Sequence, residues 1–292
     1  MRGNAAAHEL IAPENLDAVL GLMAKAPGEW TPIAGGTELM VAHAAGKLSA
    51  KRLVSLWGIA DLRFVEVRGE SVAIGAGATF TDLRQARVMD QEFPLLAKAA
   101  SWIGSIANQN RATLGGNLVN GSPAADSSPA LLAYDAEVET ISVRGKRRMA
   151  YAEFHTGYKL NALELDELLF AIHLPRRFSA HRQYLRKVGT RRAMAIAKVA
   201  LGATAKMEGG ELHEVRLGAA SLSPFPARLC RTEAALEGKA LTPAVMREAR
   251  EALLLEARPI DDIRSTAEYR KRVAANLLQE FLTGLKSSAG AR

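Results

Sequence analysis

The chain has 292 residues, 48% of them hydrophobic and 24% charged, enough for a large core in two domains. Its 38 basic and 31 acidic side chains leave a net charge of +7, but only 5% are aromatic and the basic residues are scattered among acidic ones, which argues against a nucleic-acid-binding stripe. No apolar run reaches the roughly 18 residues of a membrane span, and no charged-then-apolar leader opens the chain, so a cytoplasmic location is expected.

In chain order, Pro13 to Ala26 reads as a helix with Leu16, Val19, Leu20 and Met23 on one face, closed by Pro27-Gly28. Thr31 to Ala34 reads as a strand, Glu38 to Ala45 as a helix and Arg52 to Leu56 as a second strand, together a small β-α-β-like unit. A hairpin follows around Arg68-Gly69-Glu70, pairing Phe64–Val67 with Ser71–Ile74. Thr81 to Arg87 and Pro94 to Ile103 read as helices. Gly104 to Ser128, rich in Gly, Asn and Ser, reads as a long functional loop, and Leu131 to Tyr134 as a helical turn. A second hairpin turns at Arg144-Gly145, and Leu168 to Leu174 is a strand ending at Pro175. The polar stretch Arg176 to Ala180 is the expected domain boundary. Beyond it come Arg182 to Lys187 and Ala193 to Met207, a turn at Glu208-Gly209-Gly210 and a strand near Glu214 to Ala219. Helices are expected over Pro226 to Leu236, Pro243 to Leu255 and Thr266 to Leu282.

Two glycine-rich runs stand out, Ile33-Ala34-Gly35-Gly36-Thr37-Glu38-Leu39 and Ala112-Thr113-Leu114-Gly115-Gly116-Asn117-Leu118. The second is followed by Gly121-Ser122-Pro123-Ala124-Ala125-Asp126-Ser127-Ser128-Pro129. Each sets a Gly-Gly pair beside a hydroxyl and a polar side chain. Glycine lets backbone N–H groups approach an anion, and a helix start adds partial positive charge. Two such runs can clamp the pyrophosphate of one dinucleotide.

With these motifs the chain resembles the FAD-binding (medium) subunits of molybdenum hydroxylases, the xanthine dehydrogenase and carbon monoxide dehydrogenase family, from about Leu16 to about Leu282. The resemblance implies an α+β fold. Residues 1–177 would be a PCMH-type FAD-binding domain, with subdomains at about 1–57 and 58–177. Residues 178–292 would be a small α+β C-terminal domain, whose signatures resemble Ala219–Arg228 and Pro259–Arg270; Asp261, Asp262, Arg264, Tyr269 and Arg270 are expected to order the last helix.

The resemblance places Ala34, Gly35, Gly36, Thr37 and Glu38 at the FAD pyrophosphate, with Thr113, Gly115, Gly116 and Asn117 of the second run there too, and implies that Ile33, Leu39 and Val119 also bind the cofactor. Thr37 and Thr113 would donate hydroxyl hydrogen bonds, and Glu38 would accept from loop N–H groups or cap the helix start. Asp126 would accept from a cofactor hydroxyl, Ile103 and Gly104 would pack against the cofactor, Leu168 would line the flavin pocket, and Lys187 would lie near the isoalloxazine. Two departures are visible. Gln109 replaces the usual arginine before the second run, and Met194 or Ala195 falls where relatives carry an acidic residue.

No metal-ligand spacing, nucleophile layout or P-loop appears, so neither catalytic residues nor metal ligands are expected on this chain. Cys230 is the one cysteine, so the chain cannot hold an iron–sulfur cluster, and it is expected to be packed inside. With no attachment motif, FAD would be non-covalent. Molybdopterin and [2Fe–2S] clusters would sit on a large and a small partner subunit, in a dimer of heterotrimers. FAD here would pass electrons from those clusters to an external acceptor. A self-contained FAD-dependent oxidoreductase and a non-catalytic nucleotide-binding assembly subunit remain open as other readings.

Overall fold

The computed structural model of the chain describes residues 3–191 and 193–289. A 3-10 turn at Ala5–Ala7 leads into β1 (Glu9–Ile11), α1 (Leu16–Lys25), β2 (Trp30–Ile33), α2 (Leu39–Ala44) and β3 (Arg52–Ser55). The three strands are parallel, in the order β1-β3-β2. Helix α1 starts at Leu16 rather than Pro13, because the Asn15 side chain accepts the Ala18 N–H at 2.9 Å and caps it there. Its apolar face packs with Trp30 and Val54 into one core. Strand β1 has no alternating pattern and was not expected.

The next unit opens with the expected hairpin, β4 (Val65–Arg68) and β5 (Ser71–Gly75). Helices α3 (Phe80–Gln85), α4 (Arg87–Glu92), α5 (Pro94–Ala100), α6 (Ile106–Gln109), α7 (Leu114–Val119) and α8 (Ser128–Ala133) follow. Then come β6 (Glu137–Ser142), β7 (Gly145–Ala150), α9 (Tyr151–Phe154), a small hairpin of β8 (His155–Gly157) and β9 (Leu160–Asn161), and β10 (Leu168–Pro175). The five-stranded sheet runs β4-β5-β10-β6-β7, antiparallel throughout. Gly104 to Ser128 is not the structureless loop expected, since α6 and α7 lie within it. Side-chain caps at Ser105 and Thr113 start those short helices where periodicity is too brief to read.

The last unit has an antiparallel sheet of β11 (Arg182–Val188), β12 (Val199–Glu208), β13 (Glu211–Ala220) and β14 (Ala227–Arg228), covered by α10 (Cys230–Ala234), α11 (Pro243–Glu256) and α12 (Ala267–Ala289). The single helix expected over Pro226–Leu236 is divided. Ala227 and Arg228 pair with Ala219 and Gly218, and the helix starts only at Cys230. Cys230 is exposed, not packed. Asp262 accepts from the backbone of Arg264 and Ser265 and, at 2.7 Å, from the buried Arg270 guanidinium, which fixes the entry to α12 as expected. Arg192 lies outside the described residues.

Helix α8 lies directly on this sheet. A Cβ on Gly202 or Gly218 would come within 2.5 or 2.4 Å of the Pro129 carbonyl oxygen, so two glycines on adjacent strands let the helix backbone in. Thr204 donates to Ala133 O at 2.8 Å, and the Ser221 N–H donates to Pro123 O at 2.8 Å. The C-terminal sheet thus supports the segment that follows the second glycine run.

Candidate FAD-binding site

The first glycine run leaves β2 and enters α2. Gly36 sits at φ +74°, a left-handed conformation that favours glycine. Among the described residues, no acceptor meets the N–H groups of Gly35, Gly36, Thr37, Glu38 or Leu39. Five successive free donors at one turn are a strong attraction for an anion. Glu38 occupies the cap position of α2, yet its side chain makes no cap hydrogen bond. It is exposed and faces Lys159 at 3.6 Å, so the expected capping role is not what the residue does.

The second run is built differently. Leu114 N–H donates to Ala78 O, Gly115 N–H to Ala76 O, Gly116 N–H to the Thr113 hydroxyl oxygen at 3.0 Å, and Asn117 N–H to Thr113 O. Its backbone donors are therefore committed within the fold, contrary to the expectation that both runs present free N–H groups. Gly115 is needed for packing instead, since a Cβ there would lie 2.5 Å from the Ala76 Cβ. What this run offers a ligand is the Thr113 hydroxyl hydrogen, the open face of Gly116 and the Asn117 amide. Ser127 donates to the Asn117 carbonyl oxygen at 2.6 Å, which turns its NH2 group outward as a donor. The two runs touch: a Cβ on Gly35 would fall 1.6 Å from the Arg111 carbonyl oxygen.

Asp126 and Lys187 meet as an ion pair at 2.6 Å, their side chains 11% and 10% exposed. Burial pushes the Asp126 carboxyl up to about 6, with the Lys187 ammonium opposing the rise. Its Oδ2 is satisfied by Lys187, while its buried Oδ1 has no hydrogen-bond partner. An orphaned buried oxygen is costly unless a donor arrives. A cofactor hydroxyl would supply that donor, and five free N–H groups suit a pyrophosphate, so the residues present fit FAD.

The remaining expected residues differ in exposure and surroundings. Gly104 is exposed at φ +47° and Ile103 is half-buried beside it; Val119 is 37% exposed at the end of α7. Leu168 is set apart, 3% exposed in the core with Leu16, Trp30 and Val54. Gln109 is buried, accepting from Arg84 and donating to Ser101 O, so that position points into the fold. Met194 is exposed at φ +52°, its carbonyl held by Arg191, and Ala195 is half-buried next to it. Sequence reasoning missed Arg111, whose guanidinium stacks 3.7 Å from the Trp57 ring centre beside the first run. A basic side chain just before the second glycine run was the available signal.

The family described as the FAD binding domain in molybdopterin dehydrogenase matches residues 6–177, and the carbon monoxide dehydrogenase flavoprotein C-terminal domain matches residues 184–285. The chain belongs to this oxidoreductase family of FAD-binding subunits. Among individual proteins, it is 30% identical to the xanthine dehydrogenase FAD-binding subunit of Escherichia coli O157:H7, over 89% of this chain and 90% of that one. It is 25% identical to the carbon monoxide dehydrogenase medium chain of Hydrogenophaga pseudoflava, over 94% and 95%. The solved carbon monoxide dehydrogenase from Hydrogenophaga pseudoflava superposes with a TM-score of 0.89 at 25% identity, covering 94% of this chain and 95% of that chain.

Proposed function

We propose that this chain is the electron-transferring FAD subunit of a multi-subunit molybdenum hydroxylase. The observation that carries the site is the combination of five free N–H groups at Gly35–Leu39 with the orphaned Oδ1 of Asp126. The first run holds the pyrophosphate through backbone donors. Thr113 and the Asn117 amide close on it from the second run, and Ile103, Gly104 and Val119 border the cofactor. Asp126 accepts from a hydroxyl of the cofactor, and Lys187 offsets part of the burial that disfavours its ionised form and adds positive charge beside it. Bound FAD supplies the ability to take electrons one at a time and hand them on as a pair.

The relatives are named as FAD-binding subunits and medium chains, which supports partner subunits for this chain. A molybdopterin-binding large subunit would hydroxylate the substrate, and a small subunit with [2Fe–2S] clusters would relay electrons to this chain, in a cytoplasmic dimer of heterotrimers. Among the described residues, no three His, Cys, Asp or Glu side chains are grouped to hold a metal, and no helix is long and apolar enough to cross a membrane. The FAD domain would end near residue 177, the C-terminal domain beginning at 178.

Anaerobic mixing tests this reading. The isolated FAD-loaded chain is exposed to N-heteroaromatic compounds and aldehydes while flavin absorbance is followed. No bleaching is expected until the iron–sulfur and molybdenum subunits are added. Bleaching by the chain alone would overturn the subunit reading and favour a self-contained oxidoreductase.

A further inference from the structure

We infer that Arg111, clamped on Trp57, is a positioning residue that fixes the orientation of the Gly35–Gly36 peptide and so aims the Gly36 N–H at the cofactor. This rests on the first run being the pyrophosphate cradle. Arg111 grips Gly35 twice: its main-chain oxygen fills the space where a Gly35 Cβ would be, and its Nε reaches the Gly35 carbonyl oxygen at 3.5 Å. The guanidinium carbon lies over the Trp57 ring, 3.7 Å from its centre. Among the described residues it has no carboxylate partner, so ring and carbonyl set its direction.

Trp57 is itself anchored. The Leu56 N–H donates to Ile33 O at 2.8 Å, tying the exit of β3 to the root of the first run. Arg63, held by Asp82 through two hydrogen bonds of 2.8 and 2.9 Å, approaches the same ring at 5.8 Å. The ring also borders, with Ala34 and Thr113, the small crevice between the two runs.

A planar trans peptide points its C=O and N–H in opposite directions, and the described residues contain no cis bond. Holding the Gly35 carbonyl toward Arg111 therefore turns the Gly36 N–H the other way, into line with the free donors that follow. A Gly-Gly link has little intrinsic preference between the two orientations of that peptide. The stack supplies one, because a cation over an aromatic face is a directional attraction. Arg111 thus acts through an uncharged peptide and not by touching phosphate.

The test uses the full chain stripped of FAD and titrated with FAD, read by quenching of flavin fluorescence. Arg111→Ala and Trp57→Leu should each raise Kd about fivefold to tenfold, the loss of one modest interaction. The double variant should be no weaker than either single one, and Trp57→Phe, which keeps an aromatic face, should stay near wild type. Thermal midpoints of the FAD-free variants should match wild type. Wild-type affinity in Arg111→Ala would overturn the inference. So would weakened Arg111→Ala beside unaltered Trp57→Leu, which would make Arg111 a direct phosphate ligand, and so would affinity losses matched by lowered midpoints. Gly36→Val separates the two levels. If it keeps wild-type affinity, the cradle reading itself fails; if it loses FAD while Arg111→Ala does not, only the positioning role falls.

Discussion

Lys187 Nζ lies 2.6 Å from Asp126 Oδ2 and ties the first strand of the C-terminal sheet to the segment behind the second glycine run. With Ser221 on Pro123 and α8 seated on Gly202 and Gly218, it joins the C-terminal unit to the segment that carries the candidate site residue Asp126.

The pair predicts a pH dependence. Burial raises Asp126 from the 3.8 of a free carboxyl to about 6. In the FAD-free chain, ionisation is harder in the folded state, so the residue costs stability progressively as pH rises from about 4 to about 6 and beyond that at a constant level. A cofactor hydroxyl donating to Oδ1 favours the carboxylate, so FAD affinity should rise severalfold as pH climbs through about 6. Asp126→Asn should flatten both curves. Fluorescence titrations and melting curves across that range check this; a variant with the wild-type pH profile would remove Asp126 from the site.

The glycines should fail in different ways. Gly36→Val places a branched residue at φ +74°, costing on the order of 1–3 kcal/mol, and should purify folded but depleted in FAD. Gly35→Ala forces a Cβ into the Arg111 carbonyl and should part the two runs, with a lowered melting temperature. Gly116→Val meets only the Thr113 hydroxyl at 3.0 Å and should keep the fold while losing FAD. Flavin-to-protein absorbance ratios beside melting curves separate these outcomes. Full flavin in Gly116→Val would take the second run away from the cofactor.

Much of this was legible in the sequence because it follows short periods or turn chemistry. The face of α1, the hairpins at Gly69 and Gly145 and the turn at Gly209-Gly210 stand where pattern puts them. Strand β1 was invisible, being three residues with no alternation. Helices α6 and α7 were hidden because their signal is a cap at Ser105 or Thr113, not a repeat. The commitment of the Gly115 donor to Ala76 has no local signature, and neither does the contact of Asp126 with Lys187, 61 positions apart. The resemblance marks Gly115, Asp126 and Lys187 singly; only the fold joins them to their partners.

Seating α8 on two glycines predicts a packing cost. Gly202→Ala or Gly218→Ala should destabilise by about 1–3 kcal/mol through overpacking against Pro129. Calorimetry should show a melting temperature lower by several degrees, with FAD affinity reduced through the displaced second run. An unchanged melting temperature would mean that the sheet and helix are not in contact.

Cys230 is exposed, so a thiol reagent should modify one group per native chain without releasing FAD. Burial of part of the thiol and the nearby Glu233 push its pKa up, so the reaction at neutral pH should be slower than that of a free cysteine peptide. Reaction only after denaturation would contradict the placement.

The most direct measurement concerns the cofactor itself. The purified chain is denatured by heat or acid, and the flavin in the supernatant is separated from protein and quantified by chromatography. FAD bound without a covalent link at this site predicts release of one FAD per chain, with colourless precipitated protein. Release of FMN, flavin retained on the denatured chain, or a chain that binds no flavin when titrated with FAD would contradict it.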